Sequence, residues 1–436
     1  MNDIRPFRGL RYDPARVGPL GEVLCPPYDV ISPAEQAALH RKSPFNLVRL
    51  ELGFENPGDD AADNRYTRAS ATLQRWLKEG VLREESEPAL YLYEQRFPHE
   101  GRLLVRWGVL AALRLASWEE GIVLPHEETM AGPKQDRLRL MRATACNLSP
   151  LFLLFDDPTG IARRLMEEAG RLPADATADT GDGQLHRLWA LGAAKHGELI
   201  PALQRPQLYM ADGHHRYETA LAYRDEMRAA ESGPIPSPDA AYNFALVLLV
   251  DARDPGLVVL PTHRLVKGVP PSALDALEAA LPGRFEVERL VATGSDGVAE
   301  ALVRRMRESG EERPTLGLYG PRDSGGRLLR LRGPLGRGVQ GSKPPLDVDV
   351  LHDLLLAPAL GIGPEQLRAG GQVAYTRDAA EAVATVDRGD AQVAFLLNPT
   401  RVEQVLETAR AGGKMPQKST YFYPKPTTGL VLHRLR

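Results

Sequence analysis

One short stretch of the sequence combines a carboxylate, a glycine and three basic side chains at the start of a predicted helix. The motif Asp-Gly-His-His-Arg at 212–216 follows the apolar run 208–211 and precedes a helical pattern. Asp-Gly marks a turn between the two elements. The N–H groups and the dipole of a helix N-terminus favour an anion, and arginine adds a forked donor suited to phosphate. We therefore predict a phosphate or nucleotide site at Asp212, Gly213, His214, His215 and Arg216.

The same stretch also offers ligands for a metal. His215 and Glu218 are three residues apart on one helical face, and Asp212 lies nearby, which would suit zinc. The sequence has no matching cluster of histidines and cysteines elsewhere, which argues against a dedicated zinc site. Magnesium held by a carboxylate and by substrate phosphates is the better match. We therefore predict Mg²⁺ at Asp212.

A second candidate is Pro-His-Glu-Glu-Thr at 125–129, which follows a predicted strand and precedes Lys134, Asp136 and Arg137. A carboxylate in a partly closed site can act as a general base. From composition alone, a solvated charged loop is the simpler interpretation.

Other candidates have weaker patterns. Thr-His-Arg at 262–264 could bind an anion, although a strand end at the surface is the simpler explanation. Lys-Ser-Thr at 418–420 lies in a glycine-opened loop and could contact phosphate, but such triplets are frequent on surfaces. Residues 336–341 match G-x-G-x-x-G, but prolines crowd the motif and no helix follows, so we interpret it as a loop. Gly-Gly-Lys at 412–414 lacks the spacing of a P-loop.

The elements that must position these residues mix strands and helices. Residues 89–97 and 103–115 are predicted to form a hairpin, about 59–78 a helix, 151–155 a buried strand, 429–435 a final strand, and Ser32-Pro33 the start of a helix. Later segments alternate helix and strand, and 333–346 is predicted to be a glycine- and proline-rich linker or loop. The predicted fold class is α+β, with mixed sheets and flanking helices.

Composition limits the function classes. The 436 residues include 54 basic and 57 acidic side chains, for a net charge of −3, which does not favour a nucleic-acid or membrane surface. Cys25 and Cys146 are the only cysteines, which favours a reducing compartment. The sequence shows neither an apolar leader nor a run long enough to span a bilayer. We expect a cytoplasmic protein.

Five motifs together resemble a widespread prokaryotic family known as a domain of unknown function. The motifs lie at 5–9, 25–31, 125–129, 212–220 and 423–430. This resemblance covers nearly the whole chain but implies no activity by itself.

The motif at 212–216 also resembles the phosphate-binding signature of the ParB/sulfiredoxin superfamily. Within that superfamily, the free serine kinases are similar to this chain at 212–216, at Pro-His-Glu 125–127 and in a C-terminal part that corresponds to 371–420. The C-terminal match has Ser419 where those kinases have threonine and Tyr421 where they have arginine, and the long N-terminal region has no counterpart in them.

The resemblance implies roles for particular residues. Glu127 would be the general base, with His126 as its orienter or as a phosphate ligand. Residues 212–216 would hold the nucleotide phosphates, and Lys418, Ser419 and Thr420 would close the site. His263 and Arg264 are the only candidates for substrate selection.

The implied function is a nucleotide-dependent kinase for free L-serine or a similar small hydroxyl compound, using ATP or ADP and Mg²⁺ and giving O-phospho-L-serine. A ParB-like nucleotide-binding regulator or DNA-associated protein is an alternative, but the near-neutral charge and the lack of a basic recognition helix argue against it. Sulfiredoxin-type repair would need a cysteine where this chain has His214. Another phosphotransferase or phosphohydrolase on the same scaffold remains open.

The resemblance also suggests a division into four regions. These are an N-terminal α+β region (1–120), a ParB/sulfiredoxin-like nucleotide-binding core (121–265), an α/β insertion with a linker (266–346) and a C-terminal α/β region that closes the site (347–436).

Overall fold

The strand-to-helix turn predicted at 212–213 is present in the computed structural model. The structure describes residues 1–127, 131–231, 237–309, 313–321, 323, 325–333 and 346–436, with only the backbone of 131–133, 195 and 196. Glu128, Thr129, the motif at 336–341 and most of the predicted linker lie outside the described residues.

The chain divides into two units, each of which is considered by itself. The first comprises Met1–Val258, Ala409–Gly412 and Phe422–Arg436, and the second comprises Val259–Thr408 and Gly413–Tyr421. The division into four regions stays a prediction.

The strands are short at the chain ends and long in the middle of the first unit. In chain order they are β1 (Ile4–Arg5), β2 (Leu10–Tyr12), β3 (Leu82–Glu84), β4 (Leu90–His99), β5 (Arg102–Arg114), β6 (Val123–Leu124), β7 (Cys146–Asn147), β8 (Leu151–Phe155), β9 (Ala176–Asp179), β10 (Leu185–Leu191), β11 (Leu208–Asp212), β12 (Phe244–Asp251), β13 (Val258–Val259), β14 (His263–Val266), β15 (Phe285–Arg289), β16 (Thr315–Tyr319), β17 (Arg327–Leu331), β18 (Val373–Thr376), β19 (Val393–Leu396), β20 (Phe422–Tyr423) and β21 (His433–Arg434).

The helices flank the sheets. In chain order they are α1 (Pro14–Val17), α2 (Pro33–Lys42), α3 (Val48–Glu51), α4 (Arg65–Lys78), α5 (Ala131–Thr144), α6 (Ile161–Ala169), α7 (Ala193–His196), α8 (Leu199–Gln204), α9 (His214–Ala230), α10 (Pro271–Arg284), α11 (Ser295–Ser309), α12 (Asp347–Leu351), α13 (Ala357–Leu360), α14 (Pro364–Ala369), α15 (Ala379–Asp387) and α16 (Val402–Arg410). A π-helical turn, His352–Leu356, joins α12 to α13. Within the described residues, no helix is both long and apolar enough to cross a membrane.

In the described part of the first unit, nine strands form one mixed sheet. Their order is β6-β11-β8-β12-β5-β4-β10-β9, and β1 pairs with β5. The central β12 pairs parallel with β8 and antiparallel with β5, and all of its residues are buried. A strand buried on both faces needs a continuous apolar run, which Phe-Ala-Leu-Val-Leu-Leu-Val supplies. The predictions of mixed sheets, flanking helices and the 89–115 hairpin are confirmed.

The second unit is built on an antiparallel sheet. Among its described residues, six strands follow the order β15-β17-β16-β19-β14-β18. Side chains of α11 and α15 pack in one core with this sheet, including Leu302, Met306, Val383 and Leu396. Asp378 begins α15 by accepting hydrogen bonds from the first-turn N–H groups, as an N-cap should.

Two predicted elements have different bounds in the structure. The helix predicted from residue 59 begins at Arg65, because the Asn64 side chain caps it by accepting from the N–H groups of Tyr66 and Thr67. The strand predicted at 429–435 is limited to His433–Arg434. By contrast, the Ser32 cap of α2 is confirmed, with a reciprocal bond from Glu35.

Candidate functional site

The N-terminal turn of α9 is the centre of the candidate site. After β11 ends at Asp212, Gly213 takes a φ of 101°, a left-handed conformation that favours glycine. A Cβ at this position would lie 3.0 Å from Leu151 Cδ2 and 3.1 Å from Arg216 Nη2, so packing also selects glycine. Gly213 is the N-cap of α9 and brings no side-chain oxygen to the positive end of the helix dipole. This end of the helix is therefore suited to an anion.

Both carboxylate oxygens of Asp212 are bonded to cations. Arg216 donates from Nη2 to Oδ2 at 2.7 Å, and Lys425 Nζ lies 2.7 Å from Oδ1. Lys425 also pairs with Asp29, and its side chain is only 9% exposed. Charges interact strongly in such partly dry surroundings. The C-terminal segment of the chain is thereby joined to the start of α9.

The charge states of this network follow from its contacts. Burial alone would raise the pKa of the Asp212 carboxyl, but Lys425 and Arg216 outweigh burial and hold that pKa below its ordinary value. Burial would lower the pKa of the Lys425 ammonium, but Asp212 and Asp29 raise it. Both groups are therefore charged at neutral pH, and Lys425 is a permanent cation beside the helix terminus.

Arg216 lies inside the first unit and supports the site from within. Besides Asp212, its guanidinium donates to Ser149 Oγ at 3.0 Å and to the Pro150 carbonyl at 2.7 Å. The side chain is mostly buried. A phosphate contact of Arg216 stays a prediction, since these protein acceptors already take several of its donors.

His126 connects the segment at 125–127 to α9. Its ring Nδ1 lies 2.8 Å from the Met210 carbonyl, and because a carbonyl only accepts, Nδ1 carries the proton. The backbone N–H of His126 donates to His214 Nε2 at 3.3 Å, and the two rings meet edge to face with centroids 4.8 Å apart. His126 is fully buried. The segment is thus held against the first turn of the helix.

Glu127 follows this anchor and remains partly open. Its Oε1 lies 4.0 Å from His126 Nε2, and its side chain is 22% exposed. A carboxylate in a partly closed site can act as a general base, and this role of Glu127 stays a prediction. The structure therefore brings Glu127 and His126 together with His214 in one unit.

The next turn of α9 carries a further charged group. Glu218 accepts from Lys134 at 2.7 Å and from Trp118 Nε1 at 3.2 Å. For His215, burial lowers the pKa of the imidazole and Lys134 adds to this, while Glu218 opposes it. His215 is therefore mainly neutral at pH 7.

Lys425 and Asp29 were missed as site residues from the sequence. Both lie in motifs that carry the family resemblance, 423–430 and 25–31. The sequence signal for Lys425 is Pro-Lys-Pro-Thr-Thr at 424–428, in which the lysine is followed by a proline and two threonines. Lys-Ser-Thr at 418–420 is a weaker form of the same pattern. The Cys25 carbonyl accepts from Thr428 N–H at 2.8 Å, which brings the two segments together.

The predicted magnesium site does not fit the side chains around Asp212. Among the described residues, no group of three or more His, Cys, Asp and Glu side chains could hold a metal ion. Mg²⁺ needs carboxylate oxygens, and both oxygens of Asp212 are bonded to side-chain cations. Magnesium at Asp212 stays a prediction, and no chemical step below depends on it.

The remaining predicted residues lie in the second unit. His263 and Arg264 are each 1% exposed, so they do not form a surface strand end. Arg264 donates to the Lys418 carbonyl at 3.1 Å, and the Ser419 carbonyl accepts from Thr400 at 2.8 Å. The phosphate-closing role of Lys418, Ser419 and Thr420 stays a prediction. In the structure, the Lys418 carbonyl is bonded to Arg264, and Ser419 lines the same cavity as Arg264.

Comparison with known proteins gives one family and several remote structural relatives. The profile of the family described as "Protein of unknown function (DUF1015)" matches residues 4–349. No curated protein matches the chain. A conserved hypothetical protein from Pyrococcus furiosus is 14% identical with a TM-score of 0.36, over 73% of this chain and 93% of that one.

Two further solved structures have the same level of similarity. A free serine kinase in complex with AMP is 12% identical with a TM-score of 0.37, over 74% of this chain and 91% of that one. SbnI with a C-terminal truncation, from Staphylococcus aureus, is 10% identical with a TM-score of 0.37, over 74% of this chain and 87% of that one.

Proposed function

The chain belongs to the DUF1015 family, and we propose that it is a nucleotide-dependent phosphotransferase that acts on a small hydroxyl compound, with free L-serine as the acceptor. One observation carries the proposal. A partly open carboxylate, Glu127, is held beside a helix terminus that presents Gly213 and a buried cation, Lys425. A proton acceptor next to an anion site is what phosphoryl transfer to a hydroxyl requires.

The anion side of this site would hold the phosphates of ATP or ADP. The dipole of α9 favours negative charge, the ammonium of Lys425 lies beside it in its pairs with Asp212 and Asp29, and His214 and His215 stand on the first turn. Phosphoryl transfer depends on positioning and on neutralising the charge of the transferred group. Asp212 would hold Lys425 and Arg216 in place rather than contact the phosphates, because like charges repel.

The acid–base side would activate the acceptor. Glu127 would take the proton of the serine hydroxyl, and the hydroxyl oxygen would form a bond to the terminal phosphorus. The bond from that phosphorus to the bridging oxygen would break, and the nucleotide would leave with one phosphate fewer. A doubly protonated His126 would orient Glu127 by donating from Nε2, since its Nδ1–H is already bonded to the Met210 carbonyl. The choice of serine rests on the motifs at 125–127 and 212–216, which resemble those of free serine kinases in type and in chain order.

The direct test is to incubate the protein with ATP or ADP, magnesium and a panel of amino acids, and to follow phosphorylated products by ³¹P NMR and mass spectrometry. O-phospho-L-serine is the expected product. Glu127→Gln should lower the rate by about 10²-fold or more, the usual contribution of a general base, while nucleotide affinity stays within about twofold. Absence of serine phosphorylation with either donor would contradict the acceptor assignment.

A matched control separates the role of Glu127 from a general effect of losing a carboxylate. Glu167 is an exposed carboxylate of α6 that pairs with Arg163 at 2.8 Å. Glu167→Gln should leave both the rate and the affinity unchanged. Equal rates for the Glu127→Gln variant and the wild-type protein would remove Glu127 from the mechanism.

A further inference from the structure

A buried arginine in the interior of the large sheet is not among the residues of the site described above. Arg106 lies on β5, between β12 and β4, and is 1% exposed. Among the described residues, no Asp or Glu side chain forms an ion pair with its guanidinium. Burial lowers the pKa of Arg106 to about 10, although Tyr93 and Asp254 act in the opposite direction, so the group is charged at pH 7. A buried charge without an ion-pair partner is costly, and the other contacts of the side chain must offset that cost.

The contacts of Arg106 are hydrogen bonds to uncharged oxygens. Its Nη2 donates to the Pro424 carbonyl at 2.6 Å and to the Gln95 side chain, and its Nη1 donates to the Tyr423 carbonyl at 3.3 Å. The guanidinium carbon also lies 4.9 Å from the centre of the Phe152 ring. The rigid fork of a guanidinium can hold two successive carbonyls at once. Arg106 therefore fixes the backbone of these two residues of the C-terminal segment.

The next residue of that segment is Lys425, whose ammonium pairs with Asp212 and Asp29. On the other side of Lys425, the Cys25 carbonyl accepts from the backbone N–H of Thr428 at 2.8 Å. The backbone is thus held on both sides of the lysine, by the guanidinium before it and by the Cys25 carbonyl after it. Because the ammonium lies 2.7 Å from Asp212, a small shift of the backbone would be enough to lengthen that contact.

We propose that Arg106 is a positioning residue of the candidate site. By holding the two carbonyls before Lys425, it sets the point from which the ammonium reaches Asp212 beside the first turn of α9. This role rests on the proposed function, because it assigns Arg106 to the nucleotide side of the same site. Arg106 acts through Lys425 and not on the ligand, since its own side chain is buried against the protein.

A double-mutant cycle on nucleotide binding separates positioning from a general structural role. Arg106→Met keeps much of the side-chain volume but removes the donors, and it should raise the Kd for ATP or ADP about tenfold, measured by isothermal titration calorimetry on the full chain. In a Lys425→Met background, the same change should alter Kd by less than about twofold, because the group through which Arg106 acts is already absent. An arginine with a structural role alone would cost the same factor in both backgrounds.

Hydrogen exchange followed by mass spectrometry tests the same role without nucleotide. Arg106→Met should speed amide exchange in the peptide that spans 422–430 and leave exchange in the central strand β12 unchanged. The control is Arg114→Met on the same strand, which removes a pair with Asp3 at 2.6 Å and should leave exchange at 422–430 as in wild type. Arg106→Lys keeps the charge without the fork, so it should also speed exchange at 422–430 and replaces Arg106→Met if that variant does not fold.

Three results would overturn the positioning role: an equal loss of nucleotide affinity in both backgrounds, unchanged exchange at 422–430 in the Arg106 variants, or exchange there that is as fast in Arg114→Met as in Arg106→Met. Failure of the proposed function would give a different pattern. If the wild-type protein bound neither ATP nor ADP, the phosphate donor would be wrong, and hydrogen exchange would decide the role of Arg106. If nucleotide bound but no amino acid was phosphorylated, the acceptor would be wrong, and the cycle would still decide it.

Discussion

Asp212 in the first unit and Asp347 in the second unit are two buried or partly buried carboxylates with opposite partners. Asp212 is bonded to Arg216 and Lys425, whereas in the described part of the chain Asp347 accepts only from uncharged N–H groups. The first network pairs two cations with two carboxylates and is complete without a ligand, so the positive potential at the start of α9 comes from the helix dipole. Among the described residues, the second network contains no cation. The comparison shows that the partners of a carboxylate, and not its burial alone, decide the direction in which its pKa shifts.

Removing Lys425, the cation that pairs with Asp212 and Asp29, should cause the largest loss in the free energy of unfolding. Lys425→Met keeps most of the side-chain volume but leaves Asp212 and Asp29 without this partner. We expect a loss of about 2–4 kcal/mol in the free energy of unfolding, because breaking a buried ion pair leaves a charge uncompensated. The measurement is urea unfolding followed by tryptophan fluorescence, since Trp76, Trp107, Trp118 and Trp189 all lie in the first unit.

A second lysine of the same unit provides the control. Lys134 pairs with Glu218 at 2.7 Å, but its side chain is 35% exposed. Lys134→Met should change the free energy of unfolding by less than about 1 kcal/mol, as for exposed pairs. If both variants lost the same amount, the network around Asp212 would be no more than a surface ion pair.

Replacing Gly213, the N-cap of α9, should cause the next largest loss in the free energy of unfolding. Gly213→Ala forces a left-handed φ on alanine and crowds Leu151. We expect a loss of about 2–3 kcal/mol, since left-handed strain alone is about 1 kcal/mol and the contact adds to it. The same fluorescence-detected urea unfolding gives the value.

Gly160 is the matched control for this substitution. It is also a helix N-cap in the left-handed region, with a φ of 62°, but a Cβ there would contact nothing within 4 Å. Gly160→Ala should therefore lose only about 1 kcal/mol. Equal losses would show that conformation alone, and not the packing against Leu151, requires glycine at 213.

Much of the site could be predicted from the sequence because it depends on local signals. Asp-Gly after an apolar run gives the turn before α9, and the order of the motifs at 125–127 and 212–216 indicates that they share one site. The mixed sheet is also predictable, because β8 and β12 are continuous apolar runs.

The rest depends on contacts that local signals do not contain. Lys425 reaches Asp212 across 213 positions of sequence, and no periodic pattern encodes such a pair. The edge strand β9 and its neighbour β10 were not predicted, since strands that carry charged residues resemble loops. The same limit applies to Asp347, whose lack of a cation can be seen only when its neighbours are known.

The smallest expected effect is a change in the free energy of unfolding whose sign distinguishes Asp347 from Asp212. The folded-state pKa of Asp347 is about 6, above its ordinary value of 3.8, so the ionised carboxylate destabilises the fold fully above pH 6 and not at all below pH 3.8. Asp347→Asn should therefore increase the free energy of unfolding at pH 7.5 by about 1–2 kcal/mol, less than the full shift would give because the group is partly exposed. At pH 4.5 most of that gain should be lost.

Asp212→Asn should behave in the opposite way, because the pKa of Asp212 lies below its ordinary value. Its carboxylate stabilises the fold at all pH values above about 3.8, so the variant should be less stable than wild type at both pH 7.5 and pH 4.5. Far-UV circular dichroism reports both units, whereas tryptophan fluorescence reports the first alone. Asp347→Asn should shift only the circular dichroism transition, and Asp212→Asn should shift both. If Asp347→Asn were destabilising at pH 7.5, the Thr315 and Asn398 donors would stabilise the ionised carboxylate, and the two aspartates would not differ as their partners indicate.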